Sequence, residues 1–385
     1  MRTSPGPLLR RAAAGALVPA VLWAPVGARA AAPAPAVKSG SVPLTQRYHA
    51  LQHGGVVRAA NTTVSCRTVQ AAAVRPSCPA VRAGAQAVNG ALDMFYVDVD
   101  HDPNTYNSSR AELRLPAGSR VTYARLYWGG NLRVGEQKPP RDNRRVLIAE
   151  PSGAYRQVLA DTVVGHRTAL GADAFQASAD VTRLVRVSGP GMYTVAQVNA
   201  AMGRSAAGAW GGWTLVVAYE KRAEPLRHLS LWDGFEALYG GRSREIRLRD
   251  LTVPRGARGL AGLVAYDGDR ATRGDALTFT PFTRAPAGGS KHHDGRSRSA
   301  HRPSSVPLRG PANPGDDVLN STISEPGSRP ARREPAYATT LGYDSDVFDL
   351  TPALRRGGAR PALRLVSRRD VVWSGVFFTA VDARR

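Results

Sequence analysis

The stretch LRLPAGSRVTYARLYWGG, Leu113 to Gly130, alternates apolar and polar side chains and reverses at Pro116-Ala117-Gly118. It then alternates again through Val121, Tyr123, Arg125 and Tyr127. A period of two puts successive side chains on opposite faces of an extended chain, so this pattern specifies strands rather than a helix. GMYTVAQVNA, GGWTLVVAYE, LRHLSLWDGF and REIRLRDLTV read the same way, each bounded by Gly, Pro, Asn or Asp. The expected fold is all-β.

The pattern also recurs. LRLPAGSRVTYARLYWGG lies on LTVPRGARGLAGLVAYDG (Leu251 to Gly268) without a gap. ADVTRLVRVSGPGMYTVAQV runs parallel to SDVFDLTPALRRGGARPALRLV, and GGWTLVVAYE answers WSGVFFTAVD. Three signals in the same order in both halves predict two tandem jelly-roll-like β-sandwiches. Asp180 and Thr182 are placed to cap a short turn before Gly189-Pro190-Gly191 reverses the chain. That order resembles the crossing element of jelly-roll carbohydrate-binding domains. By the same alignment the cluster Asp344, Asp346 and Asp349 answers the Asp180 region. The polar EKRAEPL segment, Glu220 to Leu226, marks the boundary.

The expected organisation is a signal peptide over residues 1–30, an N-terminal extension over 31–89, a first sandwich over 90–224 and a second over 225–385. The leader begins basic (Arg2, Arg10, Arg11), continues apolar and ends Ala28-Arg29-Ala30, the order of a secretory signal. No stretch is a clean membrane-spanning run, so a secreted or extracellular protein is expected, held to the cell wall non-covalently if at all. In that setting Cys66 and Cys78 are expected to pair. Residues 284–317 are basic and rich in Pro, Gly and Ser, which reads as a disordered loop. The loop carries His292, His293, Asp294 and His301, a composition that suggests incidental metal affinity rather than a built site.

The net charge is +22, and removal of the four leader arginines leaves +18. Such a surface favours anionic cell-wall polymer or acidic glycan as partner. A protein partner stays open. Nucleic acid is disfavoured, because no nucleic-acid motif, zinc pattern or basic helix occurs.

Two features are candidate sites. In DVDHDPNTYNSS, Asp98, Asp100 and Asp102 take alternate positions with Asn104 beside them. Hard oxygens so spaced suit calcium, although Pro103 and Ser109 depart from the EF-hand template. The other reading is a strand ending in a hydrated Asp-Pro-Asn turn. The second feature is aromatic: Trp128, Trp210 and Trp232 adjoin Gly or Asp turns and are expected at the surface, where flat rings stack on sugars. Trp213 and Trp373 are expected in the core. No Gly-x-Ser-x-Gly, His-Glu-x-x-His, Ser-x-x-Lys, Walker or Rossmann motif is present.

FYVDVDHDPNTYNSSRAELRLPAGSRVTYARLYWGG, GGWTLVVAYE, LSLWDGF and NPGDDVLNSTIS…YATTLGYDSDVFDL resemble an uncharacterised family of exported, mainly actinobacterial proteins. In that family the region often precedes repeat domains and an anchor. The resemblance implies export and a surface setting but no activity. The favoured reading is a secreted, non-catalytic protein that binds or organises envelope or extracellular polymer. The alternative is a glycan hydrolase drawing on Asp98, Asp100, Asp102, Asp344 and Asp346.

Overall fold

The computed structural model describes residues 42–68, 76–100, 102–151, 153–248, 251–280, 305–327, 330–355 and 357–383. Among these, strands dominate and helix is confined to short pieces, so the chain is all-β. The leader and the histidines of the basic insertion lie outside the described residues.

The first half supplies β1 (Val42–Thr62), β2 (Ser108–Leu113), β3 (Arg120–Asn131), β4 (Arg145–Ala149), β5 (Tyr155–Leu159), β6 (Ala172–Asp180), β7 (Gly191–Ala196) and β8 (Gly211–Glu220). The second half supplies β9 (Leu226–Leu238), β10 (Ser243–Arg247), β11 (Gly259–Tyr266), β12 (Ala276–Thr280), β13 (Val306–Pro307), β14 (Tyr343–Asp349), β15 (Ala362–Val366) and β16 (Val372–Asp382). Hydrogen bonding orders the first set as β1-β8-β3-β6 and β2-β7-β4-β5. The second set repeats this strand for strand, as β9-β16-β11-β14 and β10-β15-β12-β13. Both orders are those of a jelly roll.

The repeat extends to the caps. Asp180 Oδ1 accepts the Thr182 N–H at 2.8 Å where the helix Thr182–Ser188 begins. Asp349 Oδ1 accepts the Thr351 N–H at 2.8 Å where the helix Thr351–Leu354 begins. Asp349, rather than Asp344 or Asp346, is therefore the counterpart of Asp180.

Three apolar layers hold the molecule. Leu126, Trp128, Trp213 and Leu215 meet Leu113, Ile148 and Tyr193 inside the first jelly roll. Leu263 and Phe377 meet Leu277, Phe279, Leu363 and Leu365 inside the second. The third layer lies between the two large sheets, where Tyr127 and Val216 pack with Leu231, Phe235, Val264, Tyr266, Tyr343 and Phe378. The large sheets thus bury both faces, and their strands read as apolar runs such as Leu215-Val216-Val217-Ala218 rather than as strict alternations.

β1 joins the two. Its first part pairs with β9, from Val42 opposite Phe235 to His53 opposite Leu226. Its second part pairs with β8, from Gly54 opposite Glu220 to Thr62 opposite Gly212. The switch falls at Gly54, whose φ of +133° suits glycine, and a Cβ there would sit 2.0 Å from the Tyr219 carbonyl oxygen.

Two sequence expectations change. Residues 42–62, assigned to an extension outside the sandwiches, form this shared central strand; alternation alone does not say which ladder a strand joins. Residues 305–317, assigned to the disordered loop, include β13 and the buried Asn313. Among the described residues, those between β1 and β2 form a small cap in which Val64–Cys66 pairs with Met94–Tyr96. Cys66 and Cys78 are bonded there and pack with Val81, Ala200, Ala209 and Leu341, residues contributed by the cap and by both halves.

Two stability effects are expected. Gly54→Ala should lower stability by about 2 kcal/mol or more, because a side chain there meets backbone at a positive φ. It should appear as a lower urea midpoint at unchanged slope. Cys66→Ser should cost about 3 kcal/mol in the chain-entropy account of a short loop, measured the same way.

Candidate functional site

The tryptophans expected at the surface are inside. Trp128 and Trp210 are 0% exposed and Trp232 7%. Trp128 Nε1 donates to the Asn143 carbonyl at 2.9 Å, and the Trp210 ring lies 5.7 Å from that of Tyr266. Gly129, Gly130, Gly211 and Gly212 beside these rings sit mid-ladder between β3 and β8 instead of in turns. Glycine next to tryptophan marks a close approach between layers here, not a loop tip. Trp213 and Trp373 are buried, as expected.

The Asp98–Asp102 loop uses its carboxylate oxygens on near neighbours. Asp98 Oδ1 accepts from Ser108 at 2.7 Å. Asp100 accepts from the Asp102 N–H at 3.0 Å and from the hydroxyls of Thr105 and Tyr155. Asp102 Oδ1 accepts from both nitrogens of Asn104. These are the bonds of consecutive polar turns. Among the described residues, no three His, Cys, Asp or Glu side chains close around one point.

A groove of about 430 Å³ opens where the two large sheets diverge. Arg58 of β1, Arg114 after β2, Arg227 of β9 and Arg258 before β11 line it, with Glu112, Glu325 and Asp349. Its apolar lining includes Val56, Leu260, Val347 and Phe378. Arg58 is buried at its base and donates to the Ser324 carbonyl at 2.6 Å, while its Nε has no partner. Desolvation lowers the Arg58 pKa, opposed by the charges of Glu325 and Asp346. Arg227 is braced by Asp382 at 3.0 Å and Glu224 at 2.9 Å. Arg258 is exposed at the rim.

A second assembly was not found by sequence reasoning. Asp267, Asp269 and Asp275 of the β11–β12 connection are buried at one end of the second jelly roll. Asp317 after β13, Asp344 and Asp346 of β14, and Asp370 before β16 are buried as well. Asn89 of the cap closes over them, donating from its backbone to Asp269 at 2.8 Å and from its side chain to Asp267 at 3.1 Å. Asp269 donates its own N–H to Asp370 at 2.7 Å. Burial pushes these carboxyls upward: Asp269 to about 6, Asp275 to about 7, Asp370 to about 8, and Asp267 and Asp344 well above the usual range. Asp346 is likewise raised by burial to about 6, with hydrogen bonds and Arg58 opposing. The sequence signal was Asp beside Gly or another Asp in the connections YDGD, RGDA and GDDV, with alternate aspartates in the strand segment YDSD.

No family model and no curated protein matches the chain. Among solved structures it is similar to the major capsid protein P2 from bacteriophage PM2, at 14% identity over 86% of this chain and 99% of that one, with a TM-score of 0.19. The Sputnik virophage structure gives 7% identity over 88% and 87%, with a TM-score of 0.15. At such scores neither carries an argument, and the jelly-roll assignment rests on the strand order itself.

The buried acids imply a pH dependence. A carboxyl whose folded pKa exceeds its unfolded value, about 3.9 for Asp, holds its proton more tightly when folded. Its stabilising contribution is complete below the unfolded pKa and is lost as pH rises through the folded one. Arg270 and Arg273 oppose the shift at Asp317, and Arg58 opposes it at Asp346. In buffer free of divalent ions, the urea midpoint should therefore fall between about pH 4 and pH 8. Trp210→Ala should lower stability by about 3–5 kcal/mol, where a surface ring would leave it nearly unchanged; thermal unfolding distinguishes the two.

Proposed function

We propose that the chain is an exported, non-catalytic binding and scaffolding protein that holds anionic cell-wall polymer or acidic glycan in the groove between its jelly rolls. The observation that carries this reading is the lining of that groove, where Arg58, Arg114, Arg227 and Arg258 surround an apolar floor. Guanidinium groups present planar, forked donors to carboxylate and phosphate. The apolar floor suits the carbon faces of a sugar or polyol chain. The charge of +18 left after removal of the four leader arginines would draw a polyanion to the molecule before the groove selects it.

The hydrolase alternative has less to support it. Asp344 and Asp346 are 0% exposed on β14. Asp98, Asp100 and Asp102 bond to Ser108, Thr105, Tyr155 and Asn104, none of which contacts Asp344 or Asp346. A glycosidase needs two carboxyl groups roughly 5–10 Å apart across an open cleft. Export itself is supported by the leader and by the disulfide, which suits an oxidising compartment.

Co-sedimentation with purified anionic wall polymer and with an uncharged insoluble glycan tests this. Binding to the anionic polymer should weaken steeply with salt. The double change Arg114→Glu, Arg258→Glu should reduce it by at least about tenfold, with the melting temperature nearly unchanged. Equal binding by this variant would remove the groove from the account.

A further inference from the structure

The seven buried aspartates of the second jelly roll form no ion pair with any described residue. Arg270 and Arg273 offset Asp317 only at a distance, as Arg58 does Asp346; Arg270 donates to Thr339 at 3.1 Å, and Arg273 lies 3.8 Å from the exposed Asp316. An uncompensated buried carboxylate is costly by several kcal/mol, so an unpaired group of them calls for a counter-charge.

The hydrogen bonding shows which oxygens would receive it. Asp275 Oδ2 accepts the Leu319 N–H at 2.5 Å, Asp317 Oδ2 the Ala271 N–H at 3.0 Å, and Asp344 Oδ1 the Thr322 N–H at 3.1 Å. In each case the other oxygen, Asp275 Oδ1, Asp317 Oδ1 or Asp344 Oδ2, is buried without any partner. Each carboxylate is thus tethered through one oxygen and presents the other, as metal ligands oriented by an outer hydrogen bond do.

Backbone oxygen converges on the same place. A Cβ added at Gly268 would lie 2.4 Å from the Leu319 carbonyl oxygen and 2.6 Å from Asp344 Oδ2, so glycine there lets both oxygens crowd one spot. Asp275 and Asp317 are joined by a backbone bridge beside it.

We propose that this cluster is a divalent-cation site of the calcium class, built on Asp275, Asp317 and Asp344 with the Leu319 carbonyl. All these donors are hard oxygens, and none is the nitrogen or sulfur that zinc or copper favours. A mixed set of carboxylates and carbonyls suits the irregular, oxygen-rich shell of calcium better than the strict octahedron of magnesium. Among the described residues no three acidic side chains already close around one point, and the ion draws the free oxygens together. The cap residue Asn89 bonds to Asp267 and Asp269 of the same β11–β12 connection. This site is separate from the Asp98–Asp102 loop and independent of the groove.

The test is equilibrium dialysis of the chelator-treated protein against radioactive calcium, with thermal unfolding in calcium, magnesium and chelator. About one ion per chain is expected, with Kd near 10⁻³ M or tighter. The melting temperature should rise by roughly 5 °C at a hundredfold excess over Kd. Asp275→Asn and Asp344→Asn should each weaken binding by at least about tenfold without lowering the calcium-free melting temperature, because the amide oxygen still accepts the Leu319 or Thr322 N–H. Asp100→Asn should bind as the unaltered protein does. No bound calcium at several millimolar, with equal melting temperatures in calcium and chelator, overturns the proposal and leaves a protonated structural cluster. Binding lost in Asp100→Asn but kept in Asp344→Asn overturns it in favour of the loop. Should the Asn variants not fold, dialysis of the unaltered protein alone decides whether an ion is bound.

Discussion

The whole arrangement depends on burying the outer faces of two large sheets against each other. A free-standing jelly roll leaves those faces to solvent, and their strands would then alternate. Here Tyr127, Val216, Phe235, Tyr266, Tyr343 and Phe378 fill the space between the sheets, and the strands are apolar on both sides. One strand makes that packing covalently unavoidable. β1 leaves the ladder of β9 at His53 and enters the ladder of β8 at Gly54, so neither sheet is complete without it. A chain that switches sheets at a bend is how stacked sheets turn corners.

The charge distribution follows from the same layering. Four arginines and three acids line the groove, whereas the aspartates of the β11–β12 connection, β14 and the approach to β16 are buried. Buried carboxylates without basic partners are a cost that the apolar layers must offset, unless an ion shares it. The cap supplies Asn89 to that region and also carries the disulfide. Its covalent closure and its contact with the acids thus concern the same small piece of structure.

Much of this was legible. The duplication in sequence became two sets of eight strands in the same order, and the turn-capping role of Asp180 reappeared at Asp349. What misled was local context. Trp128, Trp210 and Trp232 stand beside Gly or Asp, which usually signals a loop, but the glycines near Trp128 and Trp210 lie within ladders. Asp98, Asp100 and Asp102 drew attention because they are close in sequence, yet they satisfy one another's loop. Asp267, Asp275, Asp317, Asp344 and Asp370 are scattered over about a hundred residues of sequence, and no spacing rule connects them.

Periodicity, turn residues and internal repetition belong to the chain itself, because they act between neighbours. They determined the all-β class, the two jelly rolls and the cysteine pair. Which faces meet is a long-range matter. The back-to-back packing of the large sheets, the recruitment of β1 into both, the groove between them and the gathering of seven aspartates in one buried place were decided by tertiary structure alone. The physical reason is that apolar burial has no direction along the sequence. It brings distant strands together wherever the most surface can be removed from water, and the polar groups those strands carry are assembled as a consequence.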